Sequence, residues 1–483
     1  MKKNIMKFKI IGLNDRKIII ALNKLVKAFN RDNYLCENNF DYIVYINVII
    51  YKTKLKVILK CKNIIIEKDL AIVDDIYSDI KYLVLTCFYL LLSKLTNKKL
   101  SYGVLTGIRP TKLIHRYKRE YSDEDIINLM KKKYLVTKEK SQLLINIVNQ
   151  QLKVVDFAQT KSEVSIYINI PFCLSRCSYC SFTSYSYNKK ESMEYLRVLY
   201  DEIRVMGNYL LNNNISITTI YVGGGTPTAL NYKELSLLLE TIDKYLLYND
   251  IKEYTLECGR VDSLNLEKLQ LIKEAKVTRI SINPQTFNEK TLFNVNRLHS
   301  ISEIYDKFQM ARDIGINNIN MDLIIGLPYE NITDIKDSID KTIELFPEAI
   351  TIHYLAQKKG SIIYNQELNN QEDFYYKAFN YAFNSMLSNG YIPYYLYRQK
   401  NITGNLENIG YALKGYESLY NILMIEEQQT IIGLGCGASS KFLNYELILN
   451  PRNIKSYINS YLNYLDKKLK WIDNTLLMKD EGI

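Results

Sequence analysis

Apolar strand-like segments alternate with amphipathic helical segments from residue 161 onward. This alternation is the pattern of a parallel sheet whose strands are joined by helices. Six units are present, and they predict an incomplete barrel with strands at 164–170, 218–222, 253–257, 278–283, 319–324 and 349–354. Helices are predicted between the strands at 190–211, 231–248, 265–275, 302–313 and 332–345. Such barrels place their chemistry at the carboxyl ends of the strands, so functional residues should follow each strand.

Three cysteines, Cys173, Cys177 and Cys180, follow the first predicted strand with the spacing C-x3-C-x2-C. Three thiolates this close in sequence can ligate one face of a cubane iron–sulfur cluster, which leaves the fourth iron open to a small molecule. A structural zinc site is the alternative, but zinc requires four ligands. In the sequence, Cys258 is the one further Cys or His within the next hundred residues. The spacing therefore favours a reactive cluster over zinc.

Small or polar residues stand at the ends of the other predicted strands. The sequence Gly-Gly-Gly-Thr-Pro occupies 223–227, and a run of glycines lets the backbone approach a ligand closely. Carboxylate, amide and guanidinium side chains accompany the third to fifth strands: Glu257 ends the third, Gln285 and Arg297 follow the fourth, and Asp322 lies in the fifth. A turn or a solvated surface explains each residue alone, but together they predict a polar ring at one end of the barrel.

The motifs resemble those of radical S-adenosylmethionine (SAM) enzymes, and among them the oxygen-independent coproporphyrinogen III oxidase family. The similarity rests on Tyr-x-x-Ile-Pro-Phe-Cys at 167–173, Gly-Gly-Gly-Thr-Pro, Gln-x-Phe-Asn at 285–288 and Asp-Leu-Ile-x-Gly-Leu-Pro at 322–328. It extends through 105–112, 393–401 and 433–441, and the whole chain is most similar to the HemZ-type branch, the coproporphyrinogen dehydrogenases.

The resemblance implies a role for each matching residue. The three cysteines would hold a 4Fe–4S cluster, and the catalytic positions would be Tyr167, beside the SAM sulfonium, and Glu257. Tyr179 would contact the adenine. The other implied cofactor-binding residues hold the methionine end or the remaining polar groups of SAM: Gly224, Gly225, Thr226, Glu257, Gln285, Arg297, Asp322 and Ala356.

The resemblance also implies a reaction, in which two propionates of coproporphyrinogen III are oxidatively decarboxylated to vinyl groups. The product is protoporphyrinogen IX, an intermediate of anaerobic heme biosynthesis. A reductant such as flavodoxin or ferredoxin is expected as a partner, and a monomer suffices. Because the substrate carries four carboxylates, Arg109, Lys112 and Arg398 are predicted to contact it.

Two positions depart from the well-studied oxidases, which have His at Asn169 and Cys at Phe182. The Phe also occurs in the heme-chaperone branch, so a heme-trafficking protein without decarboxylase activity is the nearest alternative. The His-Asn-x-x-Tyr-Trp signature of that branch is missing. The matching stretch at 420–425 reads Tyr-Asn-Ile-Leu-Met-Ile and contains neither His nor Trp. A radical SAM enzyme acting on another substrate, such as a methyltransferase, is a further alternative.

Charge divides the chain. Residues 1–160 contain 30 Lys and Arg against 15 Asp and Glu, whereas 161–483 contain 33 against 37. This asymmetry predicts three regions: a basic amino-terminal α/β domain at 1–160, an incomplete (β/α)6 radical SAM barrel at 161–385, and a mostly helical cap at 386–483 that covers the barrel. The basic region could bind nucleic acid, but solvated lysines explain its charge more simply, and no such partner is expected.

The sequence predicts a cytoplasmic protein. The start of the chain lacks the pattern of a signal peptide, and the longest apolar run, at 82–93, is too short to cross a bilayer. In the cytoplasm the eight cysteines are expected to be ligands or buried thiols rather than disulfides.

Overall fold

The computed structural model describes residues 5–72, 75–365, 372–400, 402–443 and 446–477. The chain divides into two compact units, Met1–Val148 and Asn149–Ile483, which we name the amino-terminal unit and the barrel unit. The finer division into three domains, with boundaries at 160 and 385, stays a prediction.

The amino-terminal unit contains a five-stranded sheet in the order β2-β1-β3-β4-β5. Its strands are β1 (Lys7–Ile11), β2 (Tyr34–Leu35), β3 (Tyr42–Ile50), β4 (Lys54–Cys61) and β5 (Ile64–Ala71), and its helices are α1 (Arg16–Phe29), α2 (Ile76–Thr96), α3 (Thr111–Tyr117) and α4 (Asp123–Tyr134). Helix α5 (Lys138–Val154) contains the boundary between the units. The sequence did not predict β5, because this edge strand buries few side chains and lacks a clear alternation.

Helix α2 forms much of the core of this unit. Asp75 caps its amino end by accepting a hydrogen bond from the amide of Ser78 at 2.7 Å. Residues such as Val84, Phe88 and Leu91 are fully buried, and the helix packs on β4 and β5. It is long and apolar enough to cross a membrane by length and composition alone, yet 56% of the apolar window is buried inside the protein. A helix in the core of a protein meets the same criteria of length and composition, so this finding is weak evidence for a membrane span.

The barrel unit confirms the predicted incomplete barrel. Six strands lie side by side and parallel: β6 (Val164–Ile170), β9 (Ile217–Gly224), β10 (Glu253–Glu257), β11 (Arg279–Ser281), β12 (Ile319–Ile325) and β13 (Ala349–Tyr354). A short pair, β7 (Phe172–Cys173) and β8 (Tyr185–Ser186), follows β6. The connecting helices are α6 (Lys189–Asn212), α7 (Tyr232–Leu246), α8 (Leu266–Glu274), α9 (Glu289–Asn294), α10 (Ile301–Asp313) and α11 (Ile332–Glu344).

The carboxyl-terminal part of the chain extends this sheet, which has eleven strands within the described ranges. Strands β14 (Ile392–Tyr397) and β15 (Asn408–Ala412) add antiparallel to β13, whereas β16 (Thr430–Leu434) adds parallel to β6, followed by β17 (Ser439–Lys441) and β18 (Leu447–Leu449). Helices α12 (Glu372–Ser388), α13 (Leu419–Glu426) and α14 (Ile454–Ile472) complete the unit. The sequence predicted the helical character of this region but not these strands.

The barrel has two polar ends. We name the carboxyl ends of β6 and β9–β13, with the loops that follow them, the carboxyl rim. We name the amino ends of the same strands the floor. At the floor, Glu253 accepts hydrogen bonds from the hydroxyl of Ser418 at 2.9 Å and from the amide of Leu419 at 2.6 Å. These bonds hold the start of α13 against the floor.

Candidate active site at the carboxyl rim

The three cysteines lie on one loop directly after β6. Cys177 is buried, and Cys173 and Cys180 are half-buried, and all three are free thiols. The amide of Cys180 donates to the carbonyl of Cys177 at 3.1 Å, and Thr226 Oγ1 donates to Cys173 Sγ at 3.6 Å. Among the described residues, no three His, Cys, Asp or Glu side chains converge on a point suited to a single metal ion. A cubane cluster binds each thiolate through a different iron, so this donor set fits a cluster.

Burial controls the protonation of this loop. Burial raises the pKa of the Cys173 thiol and of the Cys180 thiol above their usual range, and the neighbouring thiol of Cys177 acts in the same direction. The thiols of Cys173 and Cys180 therefore keep their protons at neutral pH. Iron binding would release these protons, so assembly of a cluster here should be favoured by higher pH.

Close packing accounts for the glycine run at the end of β9. A Cβ on Gly223 would lie 2.6 Å from Glu257 Oε2, and one on Gly225 would lie 2.5 Å from the carbonyl oxygen of Phe172. Gly224 has a φ of 109° and contacts the side chain of Asn169. The glycines thus let the backbone pass between the cluster loop and Glu257, and the Gly224 amide donates to Glu257 Oε2 at 3.2 Å.

Three tyrosine rings and a carboxylate meet between β6 and β10: Tyr167 and Tyr221 lie within their strands, Tyr420 lies at the start of α13, and Glu257 ends β10 at the rim. Tyr221 stacks on Tyr420 with ring centroids 4.4 Å apart, and Tyr167 lies against both. The Tyr221 hydroxyl donates to Glu257 Oε1 at 2.5 Å. Burial raises the pKa of Glu257 to about 6, although this hydrogen bond from Tyr221 opposes the shift. The Tyr167 hydroxyl donates to Asn169, whose amide nitrogen donates to the carbonyl of Cys436 at 2.5 Å.

Three buried polar atoms without partners lie at the carboxyl end of β11 and in the segments that follow it. Ser281 Oγ, Gln285 Oε1 and Arg297 Nε are buried and find no hydrogen-bond partner among the described residues. Gln285 also has a φ of 68°, which is unusual for a residue with a side chain. Since buried polar groups are normally paired and unusual backbone conformations concentrate at functional sites, these atoms fit a polar ligand such as SAM.

Asp322 and His353 form a further polar group on β12 and β13. His353 Nε2 lies 3.7 Å from Asp322 Oδ2, and its Nδ1 lies 3.2 Å from the hydroxyl of Tyr397. Burial opposes ionisation of Asp322, but His353 and a hydrogen bond from Asn320 outweigh it and hold the pKa of Asp322 below its usual range. Asp322 therefore stays an ionised acceptor at neutral pH.

The remaining predicted residues are placed as follows. Arg297 is buried and donates to the Tyr179 hydroxyl at 3.3 Å, which puts Tyr179 at the rim. Ala356 follows β13 and pairs with Ile402 in a short antiparallel bridge. Arg398 is buried and donates to the side chain of Asn405 at 2.8 Å. Arg109 and Lys112, the other predicted substrate contacts, flank the start of α3 in the amino-terminal unit.

Sequence reasoning assigned no role to several residues that the fold brings to this site. Tyr221 lies two residues before Gly223 on β9, so the alternation of a strand was the available signal. His353 and Arg260 were also missed, although both stand at strand ends. The contact of Tyr420 with Tyr221 had no signal, because α13 and β9 are far apart in the sequence.

The fold and the cysteine loop define a radical SAM protein, and the sequence pattern of the radical SAM superfamily matches residues 167–342. The chain is 42% identical over 390 residues to the oxygen-independent coproporphyrinogen-III oxidase-like protein HemZ of Bacillus subtilis, which covers 77% of each chain. The chain therefore belongs to the family of oxygen-independent coproporphyrinogen-III oxidase-like proteins. Members of the superfamily use a 4Fe–4S cluster and SAM as cofactors.

Two other proteins are similar to the chain. The heme chaperone HemW of Bacillus subtilis is 30% identical over 302 residues, which are 61% of this chain and 75% of that protein. The crystal structure of the coproporphyrinogen III oxidase HemN of Escherichia coli matches with a TM-score of 0.52 and 20% identity, over 65% of this chain and 72% of that one. The likeness to HemN shows a shared fold, and the chain is similar in sequence to both an oxidase-like protein and a heme chaperone.

Proposed function

We propose that the protein is an oxygen-independent coproporphyrinogen III oxidase that converts two propionates of its substrate to vinyl groups. The observation that carries the proposal is the 42% identity to the HemZ protein over 77% of both chains. The free thiols and the unpaired polar atoms at the carboxyl rim support it, because they provide the donors that a cluster and SAM require.

In the proposed site, Cys173, Cys177 and Cys180 would ligate the cluster. Gly224, Gly225 and Thr226 would hold the methionine end of SAM, and Tyr179 would contact its adenine. Tyr167 would stabilise the sulfonium through its ring. The remaining cofactor contacts would come from Glu257, Gln285, Arg297, Asp322 and Ala356.

The protein binds and orients the cofactors and the substrate, and it excludes water from the site. When bound, the cluster and SAM supply a deoxyadenosyl radical that removes a hydrogen atom from the propionate carbon next to the pyrrole ring. Ionised Glu257 would accept hydrogen bonds from the SAM ammonium group and so orient the methionine end. Each propionate then loses CO2 and gives one electron to an acceptor, which leaves the vinyl group. Flavodoxin or ferredoxin, as one-electron donors, would supply the reducing electron.

The test is an anaerobic reaction of cluster-loaded protein with SAM, a reductant and coproporphyrinogen III, followed by mass spectrometry. Deoxyadenosine together with mono- and divinyl products is expected. Deoxyadenosine without a vinyl product would overturn the substrate assignment while keeping the SAM chemistry.

Substrate contacts are tested separately. Arg109→Ala, Lys112→Ala and Arg398→Ala should each weaken coproporphyrinogen binding and leave SAM cleavage intact. The exposed Lys131 of the amino-terminal unit offers a matched control, Lys131→Ala, which should change neither. Normal substrate affinity in all three variants would contradict these assignments.

A second function is favoured by one observation, the 30% identity to the heme chaperone HemW. Stoichiometric heme binding without a vinyl product would support it. The position of Tyr420 argues against it, because a buried, stacked tyrosine stands where the chaperone signature begins with histidine. A phenol paired with another ring offers no imidazole ligand to heme iron.

A further inference from the structure

Arg260 lies against the cysteine loop, and the proposed SAM contacts do not use it. It follows β10 three residues after Glu257, and its side chain is 4% exposed. Its Nη1 donates to the carbonyl oxygen of Ser175 at 3.0 Å and to Cys177 Sγ at 3.5 Å. A single buried cation therefore contacts both the backbone of the loop and one of its thiols.

Asp262 fixes the orientation of this guanidinium. Arg260 Nε donates to Asp262 Oδ1 at 2.9 Å, and Nη2 donates to Oδ2 at 2.5 Å. This two-point pairing leaves Nη1 directed at the loop. The second buried arginine nearby, Arg297, directs its guanidinium elsewhere, with Nη2 donating to the carbonyls of Gly259 and Asn283. Of these two arginines, Arg260 is the one that contacts a thiol.

We propose that Arg260 is a positioning residue that raises the reduction potential of the cluster. Reduction by one electron adds a negative charge to the cluster, and hydrogen bonds to the ligand sulfurs together with nearby charge set its potential. A cation excluded from water and bonded to the Cys177 sulfur favours the added electron. Reduced ferredoxin or flavodoxin, as a one-electron donor, would then reduce a larger fraction of the cluster. The inference rests on the proposed ligation by Cys177 and not on the identity of the porphyrinogen.

The pair predicts two effects of opposite sign. Arg260→Gln removes the charge and keeps a donor of similar length, so the cluster should become harder to reduce. Asp262→Asn removes the compensating carboxylate and leaves the arginine charge uncancelled, so the cluster should become easier to reduce. A residue that only packs the loop would not produce shifts in opposite directions.

The experiment is a redox titration of the cluster-loaded full-length protein, followed by the electron paramagnetic resonance signal of the reduced cluster. Iron content is measured first for each variant. For Arg260→Gln we expect the ratio of reduced to oxidised cluster at a fixed potential to fall about tenfold, a negative shift of about 59 mV for one electron. Asp262→Asn should shift the other way, and Arg260→Lys should stay near the wild type. The control is Arg176→Gln, because Arg176 is exposed on the same loop and donates to the carbonyl of Gly360 instead.

The outcomes separate this inference from the proposed site. Unchanged potentials in iron-loaded Arg260→Gln and Asp262→Asn would overturn the role of Arg260 and leave the cluster site standing. Shifts of the same sign in both variants would also overturn it, as would an equal shift in Arg176→Gln. A wild-type protein that binds no iron after reconstitution would overturn the cluster site and this inference together.

Discussion

The floor and the carboxyl rim of the barrel are built from similar polar residues, yet they differ in how those residues are paired. At the floor, Thr219 donates to Ser165 at 2.7 Å, Ser165 donates to Gln429, and Gln429 donates to Thr218 at 2.7 Å. Arg279 donates to the carbonyl of Tyr416 at 2.8 Å. Two of these residues, Gln429 and Tyr416, come from the carboxyl-terminal part of the chain.

The rim has more unpaired polar atoms, although at the floor the buried hydroxyl of Tyr254 on β10 also lacks a partner among the described residues. Ser281, Gln285 and Arg297 each keep a buried polar atom without a partner among the described residues, and burial raises the pKa of Glu257 to about 6. Leaving a buried polar group unpaired costs about 1–3 kcal/mol. Paired groups at the floor stabilise the fold, so unpaired groups at the rim are best explained by a ligand that completes them.

The largest expected effect comes from the cysteine loop of the rim. Replacing any one of Cys173, Cys177 or Cys180 with Ala should abolish cluster binding, because two thiolates do not hold a cubane through three irons. Iron content and visible absorption after anaerobic reconstitution measure this loss. Cys36→Ala, in the amino-terminal unit, serves as the control and should keep the full iron content. Iron retained in the single variants would refute the assignment of ligands.

A substitution at the floor should lower the free energy of unfolding and leave cofactor binding unchanged. Glu253→Ala leaves the Ser418 hydroxyl and the Leu419 amide without their acceptor, so the free energy of unfolding should fall by about 2–4 kcal/mol. Chemical denaturation compared with Glu267→Ala, an exposed carboxylate at the start of α8, measures the difference. A stable Glu253→Ala protein with weakened SAM binding would break the distinction between floor and rim.

The pH dependence of SAM binding tests whether Glu257 at the rim contacts SAM. Because the pKa of Glu257 is raised to about 6, its carboxyl gains a proton as the pH falls through that value and no longer accepts from the SAM ammonium. Below pH 6 the affinity should fall by up to about tenfold per pH unit, and above it the affinity should level off. Equilibrium dialysis with cluster-loaded protein measures this profile. Glu257→Gln should bind weakly at every pH, and a profile shared by both proteins would exclude Glu257 as the titrating group.

The smallest expected effect belongs to Gln285. Gln285→Ala should weaken SAM binding about threefold to tenfold, as expected for the loss of one hydrogen bond. It should cause no loss of stability, because Gln285 Oε1 has no partner among the described residues to lose. Dialysis and denaturation on the same preparation test both halves of this prediction. Lower stability with unchanged SAM affinity would show that Gln285 stabilises the fold, as the floor residues do, and does not bind SAM.

The sequence predicted the barrel well because its strands are buried and apolar. β6, β10 and β13 begin and end at the predicted residues, and β12 extends one residue further. Strand β16 (Thr430–Leu434) was not predicted. It forms a strand because it pairs with β6, a partner more than 250 residues away. Local periodicity carries no information on such a partner.

The site was predicted in part for the same reason. Motifs at strand ends identified the residues at the rim, since the position of a strand end follows from the local pattern. Pairing did not follow from it, so the sequence could not show that Glu253, at the other end of the strand from Glu257, accepts from Ser418 and Leu419. The contact of Arg260 with Cys177 depends on how two separate loops meet, and only the three-dimensional structure shows it.

The most direct test uses coproporphyrinogen III that carries deuterium on the propionate carbons next to the pyrrole rings. Cluster-loaded protein is incubated anaerobically with this substrate, SAM and a reductant, and the deoxyadenosine is analysed by mass spectrometry. A radical formed at the carboxyl rim should yield deoxyadenosine with one deuterium, in proportion to the vinyl groups formed. Unlabelled deoxyadenosine and intact propionates from a fully loaded protein would contradict the proposed reaction.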